Sequence, residues 1–166
     1  MNHHQRITSK IFSEYREFEP LLRNWKNRGR RIVFTNGCFD LIHRGHAEYL
    51  AKAAGKGDQL VIGLNSDMSV TRLKGLGRPL TDEFSRAYLL AAFRFVSAVV
   101  IFEEDTPEKL ITLISPDYLI KGDDYPVSEI AGHEWVIAHG GKVETIQLVP
   151  GFSTSSLITR IKGVVQ

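Results

Sequence analysis

Cysteine occurs once in the 166 residues, at Cys38, which rules out an internal disulfide framework and leaves no set of thiolates to cage a metal. Long apolar runs are missing too: none approaches the roughly 20 residues needed to span a bilayer. The opening MNHHQRITSK is polar and lacks the apolar centre of a secretory signal. These absences lead us to expect a reducing cytoplasm and no membrane partner. Excess charge of one sign is also lacking. The 21 basic and 19 acidic residues give a formal charge of +2, too balanced to advertise a nucleic-acid surface. There is no internal repeat and no low-complexity tract. The length, with 43% hydrophobic and 24% charged residues, suits one soluble globular domain with a proper core.

What is present is an alternation of short apolar runs with helical stretches. Near the start, Ile7, Ile11, Tyr15, Phe18, Leu22 and Trp25 recur at helix-like spacing, interrupted by Pro20. This predicts two short helices outside the main sheet, an N-terminal helical extension over 1–29 preceding a domain over 30–166. Strands are expected at 31–35, 59–64, 98–102, 117–120 and 142–148. Their Val/Ile content without polar alternation suits strands buried on both faces. Helices are expected near 45–54, 83–94, 107–114, 128–139 and 153–162. Capping is assigned to Thr81-Asp82, Thr106-Pro107 and Ser153. The pattern predicts an α/β fold, a five-stranded parallel sheet with helices on both faces. Such sheets bind ligands at the carboxyl ends of their strands, where the topology switches.

The stretch TNGCFDLIHRGHAEYL, 35–50, falls at that end of the first predicted strand. A helix N-terminus offers unpaired N–H groups and partial positive charge, and so attracts anions. Gly37 permits a tight turn beside a ligand, and Gly45 is expected to keep the helix entrance open. His43 and His46, three residues apart, can project toward one anion, and an imidazole N–H donates to phosphate oxygen. A plain helix-capping role is the bland alternative for the pair. Zinc is not expected, because only Asp40 offers a third ligand. The dinucleotide pattern G-x-G-x-x-G is absent here, and AAGKGD at 53–58 lacks the P-loop spacing, reading better as a helix end. Cys38 near His43 could suggest a nucleophile pair, but a small residue lining a tight turn explains it equally well.

GCFDLIHRGH, 37–46, resembles the G-x-F-D-x-x-H-x-G-H signature of the cytidylyltransferase-like nucleotidyltransferases. The similarity continues through GLNSD (63–67), RLKG (72–75), RP (78–79), FEEDTPEKLI (102–111), IKGDDY (120–125), EIAG (129–132) and GFSTSSLI (151–158). Together these resemble the adenylyltransferase domain of ADP-heptose synthesis, over roughly residues 30–161. That domain is often fused to a sugar kinase; no kinase motif is found here, so a stand-alone form with a separate kinase upstream is expected.

The resemblance implies a Rossmann-like nucleotidyltransferase fold, ATP and a sugar 1-phosphate as substrates, Mg²⁺ carried mainly by the triphosphate, and a possible homodimer. It implies that His43, His46 and Lys74 act on the reacting phosphates. Asn36, Gly37, Cys38, Phe39, Gly45, Lys121, Asp123, Ser153, Thr154 and Ser155 would hold the nucleotide. Asp40, Asn65, Arg78 and Arg86 would lie on the substrate side. Structural alternatives stand beside these roles. Arg86 could be a solvated or interface charge, Lys74 and Arg78 surface charges of a glycine-rich loop, Asp67 a helix cap, and STSS only an N-cap. A cytidylyltransferase acting on a polyol phosphate such as glycerol 3-phosphate is the neighbouring possibility. A nucleotide-binding module without turnover is the more distant one.

Overall fold

A computed structural model describes residues 1–124 and 126–164. Tyr125, the last residue of the IKGDDY motif, therefore lies outside the described residues. In chain order the elements are α1 (His3–Thr8), β1 (Ile11–Phe12), α2 (Tyr15–Asn27), β2 (Ile32–Gly37), α3 (Arg44–Ala54), β3 (Gln59–Asn65), α4 (Asp67–Lys74), α5 (Glu83–Ala92), β4 (Val96–Phe102), α6 (Glu108–Ile114), β5 (Tyr118–Gly122), a 3-10 turn (Val127–Glu129), α7 (His133–Ala138), β6 (Lys142–Ile146) and α8 (Thr154–Val164). The strands form one parallel sheet in the order β1-β4-β3-β2-β5-β6.

The period of two along each strand divides the core. Val33, Leu60, Ile62, Leu64 and Val99 face one side, against Leu50 and Ala53 of α3 and Ala87, Leu90 and Ala91 of α5. Ile32, Phe34, Val61, Ala98 and Val100 face the other, against Phe18 and Leu22 of α2 and Leu110, Ile111 and Ile114 of α6. The result is the expected Rossmann-like α/β fold with helices on both faces. Apolar runs without alternation were the sign of this two-sided burial.

The sheet has six strands rather than five. Ile11 and Phe12, expected within a helical N-terminal segment, pair in parallel with Val99 and Val100, and the Val99 N–H donates to the Lys10 carbonyl at 2.8 Å. Two apolar residues are too few to show a period, so helix and strand could not be separated there. Pro20 does not break α2, which runs through it. The buried face of Phe18 and Leu22 holds the helix against the sheet, and packing outweighs the single backbone hydrogen bond that proline removes. The helix expected over 128–139 is divided: Gly132, at φ +80°, ends the 3-10 turn region, and α7 starts after it.

The topology places the site. From β2 the chain moves outward through β3 and β4, then returns to the opposite side of β2 with β5. That reversal is the switch point at which a crevice opens. β2 and β5 pair only at Val33–Tyr118 and Phe34–Leu119, so their carboxyl ends part beyond Phe34. Tyr49 of α3 lies under the gap, its hydroxyl 2.7 Å from Thr35 Oγ1 and donating to the Ile120 carbonyl at 3.1 Å. Among the described residues no helix is long and apolar enough to cross a membrane.

Candidate active site

Two adjoining lobes of one cleft, about 700 and 290 Å³, open at the carboxyl ends of β2 and β5. They share Asn36 to Phe39, His46, Lys121 and Thr154. His43, Gly45 and Ser153 line the smaller lobe; Asp40, Asn65, Lys74, Arg78 and Ser155 line the larger. Of the residues implicated by sequence, only Asp123 and Arg86 stand outside both.

The turn from β2 into α3 is built around its two histidines. His43 caps α3, its Nδ1 accepting the His46 N–H at 3.4 Å, and the two rings stack with centroids 3.8 Å apart and 18° between planes. Phe39, at φ +46°, turns its ring edge-on to His46 at 5.2 Å. Gly37 makes room for that ring: a Cβ there would lie 3.0 Å from it. Gly45 has a similar task, since its Cβ would come within 2.9 Å of the Phe152 Cβ and 3.0 Å of the His43 ring. It therefore keeps space for the histidine and for the loop before α8, rather than simply leaving an open entrance.

Burial, and then the neighbouring His43, push the His46 pKa down to about 4; partial burial lowers that of His43. Both rings are neutral near pH 7. His46 Nδ1 is the only buried side-chain nitrogen or oxygen among the described residues without a hydrogen-bond partner. A buried polar atom left without a partner in the protein, on a cleft wall, points to a partner from outside.

Burying a neutral histidine also has a pH signature. The unfolded chain takes up a proton at the ordinary value of 6.5, whereas the folded protein resists until about 4. Stability should therefore be complete above pH 6.5 and fall as the pH drops toward 4, by on the order of 1–2 kcal/mol at pH 5. Urea unfolding at pH 7.5 and pH 5 should show this loss in the wild type and a smaller one in His46→Asn. Equal losses in both would exclude His46 as the source.

The larger lobe is bounded by the loop after α4. Lys74 ends that helix, and Gly75 and Gly77 follow at φ +93° and +87°. Asp40, 3% exposed, fixes the far side of this loop: its carboxylate accepts from Arg78 Nε at 2.6 Å and from the N–H groups of Leu80 and Thr81 at 2.7 and 3.0 Å. The acid thus fastens a loop to the turn, while the Arg78 side chain, held by it, lines the cleft. Asn65 donates to Ser69 Oγ at 3.0 Å. Ser66, and not Asp67, caps α4.

Arg86 is fully buried. Its guanidinium donates to the carbonyls of Thr81 (2.9 Å), Cys38 (2.5 Å) and Asn65 (2.9 Å), and pairs with the Asp67 carboxylate at 2.7 Å. One planar group ties the β2 turn, the end of β3 and the loop before α5 together. It sits behind the cleft wall.

On the other side, Lys121 of β5 donates from Nζ to Asn36 Oδ1 at 3.1 Å and to the Asn36 carbonyl at 3.3 Å. Asp123 turns away, its carboxylate accepting the Leu148 N–H at 3.1 Å. Asp124 lines both lobes instead. Nothing in two adjacent aspartates distinguished them. Ser153 caps α8, its Oγ accepting the Ser156 N–H at 3.0 Å, so α3 and α8 both begin at the cleft. Asp105 to Pro107 and Glu129 to Ala131 also line the larger lobe. Their motifs, FEEDTPEKLI and EIAG, were visible in the sequence without a role attached. Among the described residues no group of three or more His, Cys, Asp or Glu could hold a metal ion.

This arrangement has relatives. A family model described as cytidylyltransferase-like matches residues 34–160. The bifunctional protein HldE of Rhodopseudomonas palustris strain BisB18 is 52% identical over 154 residues, which cover 93% of this chain and 31% of that protein. HldE of Citrifermentans bemidjiense is 56% identical over 135 residues, covering 81% of this chain and 28% of its own length. The chain thus spans about a third of the curated relatives it matches. A lipopolysaccharide core biosynthesis protein from Thermoplasma volcanium superposes with a TM-score of 0.58 at 27% identity, over 73% of this chain and 98% of that one. A pantoate–beta-alanine ligase from Francisella tularensis, with a TM-score of 0.55, 13% identity and coverage of 92% and 76% of the two chains, shares the fold alone.

Proposed function

We propose, on the premise that the chain belongs to the cytidylyltransferase-like family, that it transfers AMP from ATP to a heptose 1-phosphate, releasing pyrophosphate and giving ADP-heptose. The observation that carries the transfer is the neutral, stacked His43–His46 pair at the mouth of α3, with the buried Nδ1 of His46 unpartnered beside Lys121 and the start of α8. The heptose rests on the run of motifs beyond the shared signature, RLKG, KGDDY and EIAG. The lipopolysaccharide-core name of the Thermoplasma volcanium protein agrees with a surface-glycan role.

In this reading an oxygen of the sugar phosphate attacks the α-phosphorus of ATP. A new P–O bond forms, the bond to the β-phosphate bridging oxygen breaks, and the electron pair leaves with pyrophosphate. The attacking oxygen is already anionic, so no protein nucleophile or strong base is needed. What the protein supplies is alignment of two repelling anions and donors where charge develops. His43 and His46 donate as neutral imidazoles. Lys74, exposed at the end of α4 and followed by two glycines of positive φ, reaches in when the loop after it closes. Mg²⁺, taking most of its ligands from phosphate and water, would be held beside Asp124 and Asp105, wall residues of the larger lobe. Held there, it would neutralise the triphosphate. The acceptor must arrive phosphorylated, so a sugar-phosphorylating step precedes this one.

The test is a matrix of the four nucleoside triphosphates against heptose 1-phosphates, glycerol 3-phosphate and phosphopantetheine, read by pyrophosphate release. ATP with a heptose 1-phosphate should be the best pair, and after stringent chelation Mg²⁺ alone should restore turnover. CTP with glycerol 3-phosphate as the best pair would replace the substrate assignment and keep nucleotidyl transfer. Recovery only with Zn²⁺ would mean the histidines had been misread.

A further inference from the structure

Lys121 is a charged group whose partners in the protein do not match its charge. It lies on β5 past the point where β5 separates from β2, and among the described residues its part-buried ammonium donates only to the side-chain amide oxygen and the carbonyl of Asn36, both neutral. The ion pairs of the described residues do not include it. Burial lowers the Lys121 pKa, outweighing the opposing influence of Asp124 and Cys38, neither of which forms an ion pair or hydrogen bond with it among the described residues. A desolvated cation held by neutral acceptors is unfavourable for the empty protein. The same wall carries the unpartnered Nδ1 of His46, and both residues line both lobes of the cleft. Two groups short of partners, one cationic and one a neutral imidazole, converge where the lobes meet.

We infer that Lys121 is a receptor for the phosphate that bridges the two lobes, and that its charge is completed by that anion and not by the protein. The inference rests on the nucleotidyl-transfer reading above and assigns the phosphate, rather than the base or ribose, to this residue. Asn36 holds the ammonium in place between turnovers without neutralising it. A carboxylate in that position would compete with the substrate.

The experiment uses the intact protein, with inorganic pyrophosphate and uncharged adenosine as separate calorimetric probes. Lys121→Met should weaken pyrophosphate binding by about 10- to 100-fold, the worth of one charge-assisted hydrogen bond. Adenosine binding should change by less than about threefold. Lys121→Arg, which keeps the charge, should recover part of the pyrophosphate affinity. Lys121→Gln, judged by the same ratio of the two ligands, serves if the Met variant fails to fold. The ligand-free Met variant should melt no earlier than wild type, because it removes a desolvated charge. Loss of both ligands in equal measure, loss of neither, or an earlier melt with pyrophosphate binding intact would each make Lys121 a strap between β2 and β5 and overturn the proposal. If the wild type bound neither pyrophosphate nor ATP, the transfer reading itself would fail, and separately.

Discussion

His46→Ala should lower kcat by about 10²- to 10³-fold while the protein still folds. The magnitude is that of removing one preorganised donor from a site where negative charge develops. Folding should survive because the Nδ1 of His46 has no partner among the described residues, so truncation leaves no buried group there stranded. What is lost is ring contact, the stack on His43 and the edge of Phe39. His43→Ala should slow turnover similarly and also destabilise, by about 1 kcal/mol, because it removes the α3 cap. The pair thus separates chemistry from stability at neighbouring positions. Steady-state rates and melting temperatures measured on both variants decide the matter. A kcat near wild type in His46→Ala would remove the histidine from the transition state, whatever the family does.

How much of this was legible beforehand depends on how local the signal was. The β2–α3 junction could be read because glycine, histidine and helix start all fall within ten residues, each with its own physical reason. The two-faced core could be read from unbroken apolar runs such as 98–102. The strand at Ile11–Phe12 could not, since its pairing with Val99 and Val100 is a contact across 88 positions of sequence. The reason for Gly45 was likewise hidden in a distant residue: Phe152 closes over it from the loop before α8. Asp123 and Asp124 are chemically identical neighbours, and only the turn after β5 sends one to Leu148 and the other to the cleft. Arg86 shows the same limit most sharply. A helix position with a solvent-like residue gave no hint that the guanidinium would be surrounded.

Arg86→Met should destabilise the fold by about 3–5 kcal/mol, the scale expected when several buried acceptors lose their donor together. Methionine fills much of the arginine stem's volume, so the loss is mainly polar. It leaves the carbonyls of Cys38, Asn65 and Thr81 without their donor, behind a wall that water does not reach from the arginine's side. Each stranded acceptor carries a desolvation cost of about 1–3 kcal/mol, relieved in part as the loop before α5 gives way. Asp67 matters less, since its side chain is 41% exposed and water can replace the guanidinium there, so Asp67→Asn should be mild. Arg86→Lys should fall between wild type and Arg86→Met: an ammonium keeps the charge but cannot span three carbonyls and a carboxylate with a planar fork. Since the Cys38 carbonyl belongs to the turn lining both lobes, kcat should fall in Arg86→Lys even where most of the protein is folded, as a misplaced site is costly at displacements of about 1 Å. Urea unfolding of the three variants, with rates measured well below each midpoint, tests the ordering. An Arg86→Met protein within about 1 kcal/mol of wild type would mean that the three segments hold their places without the guanidinium.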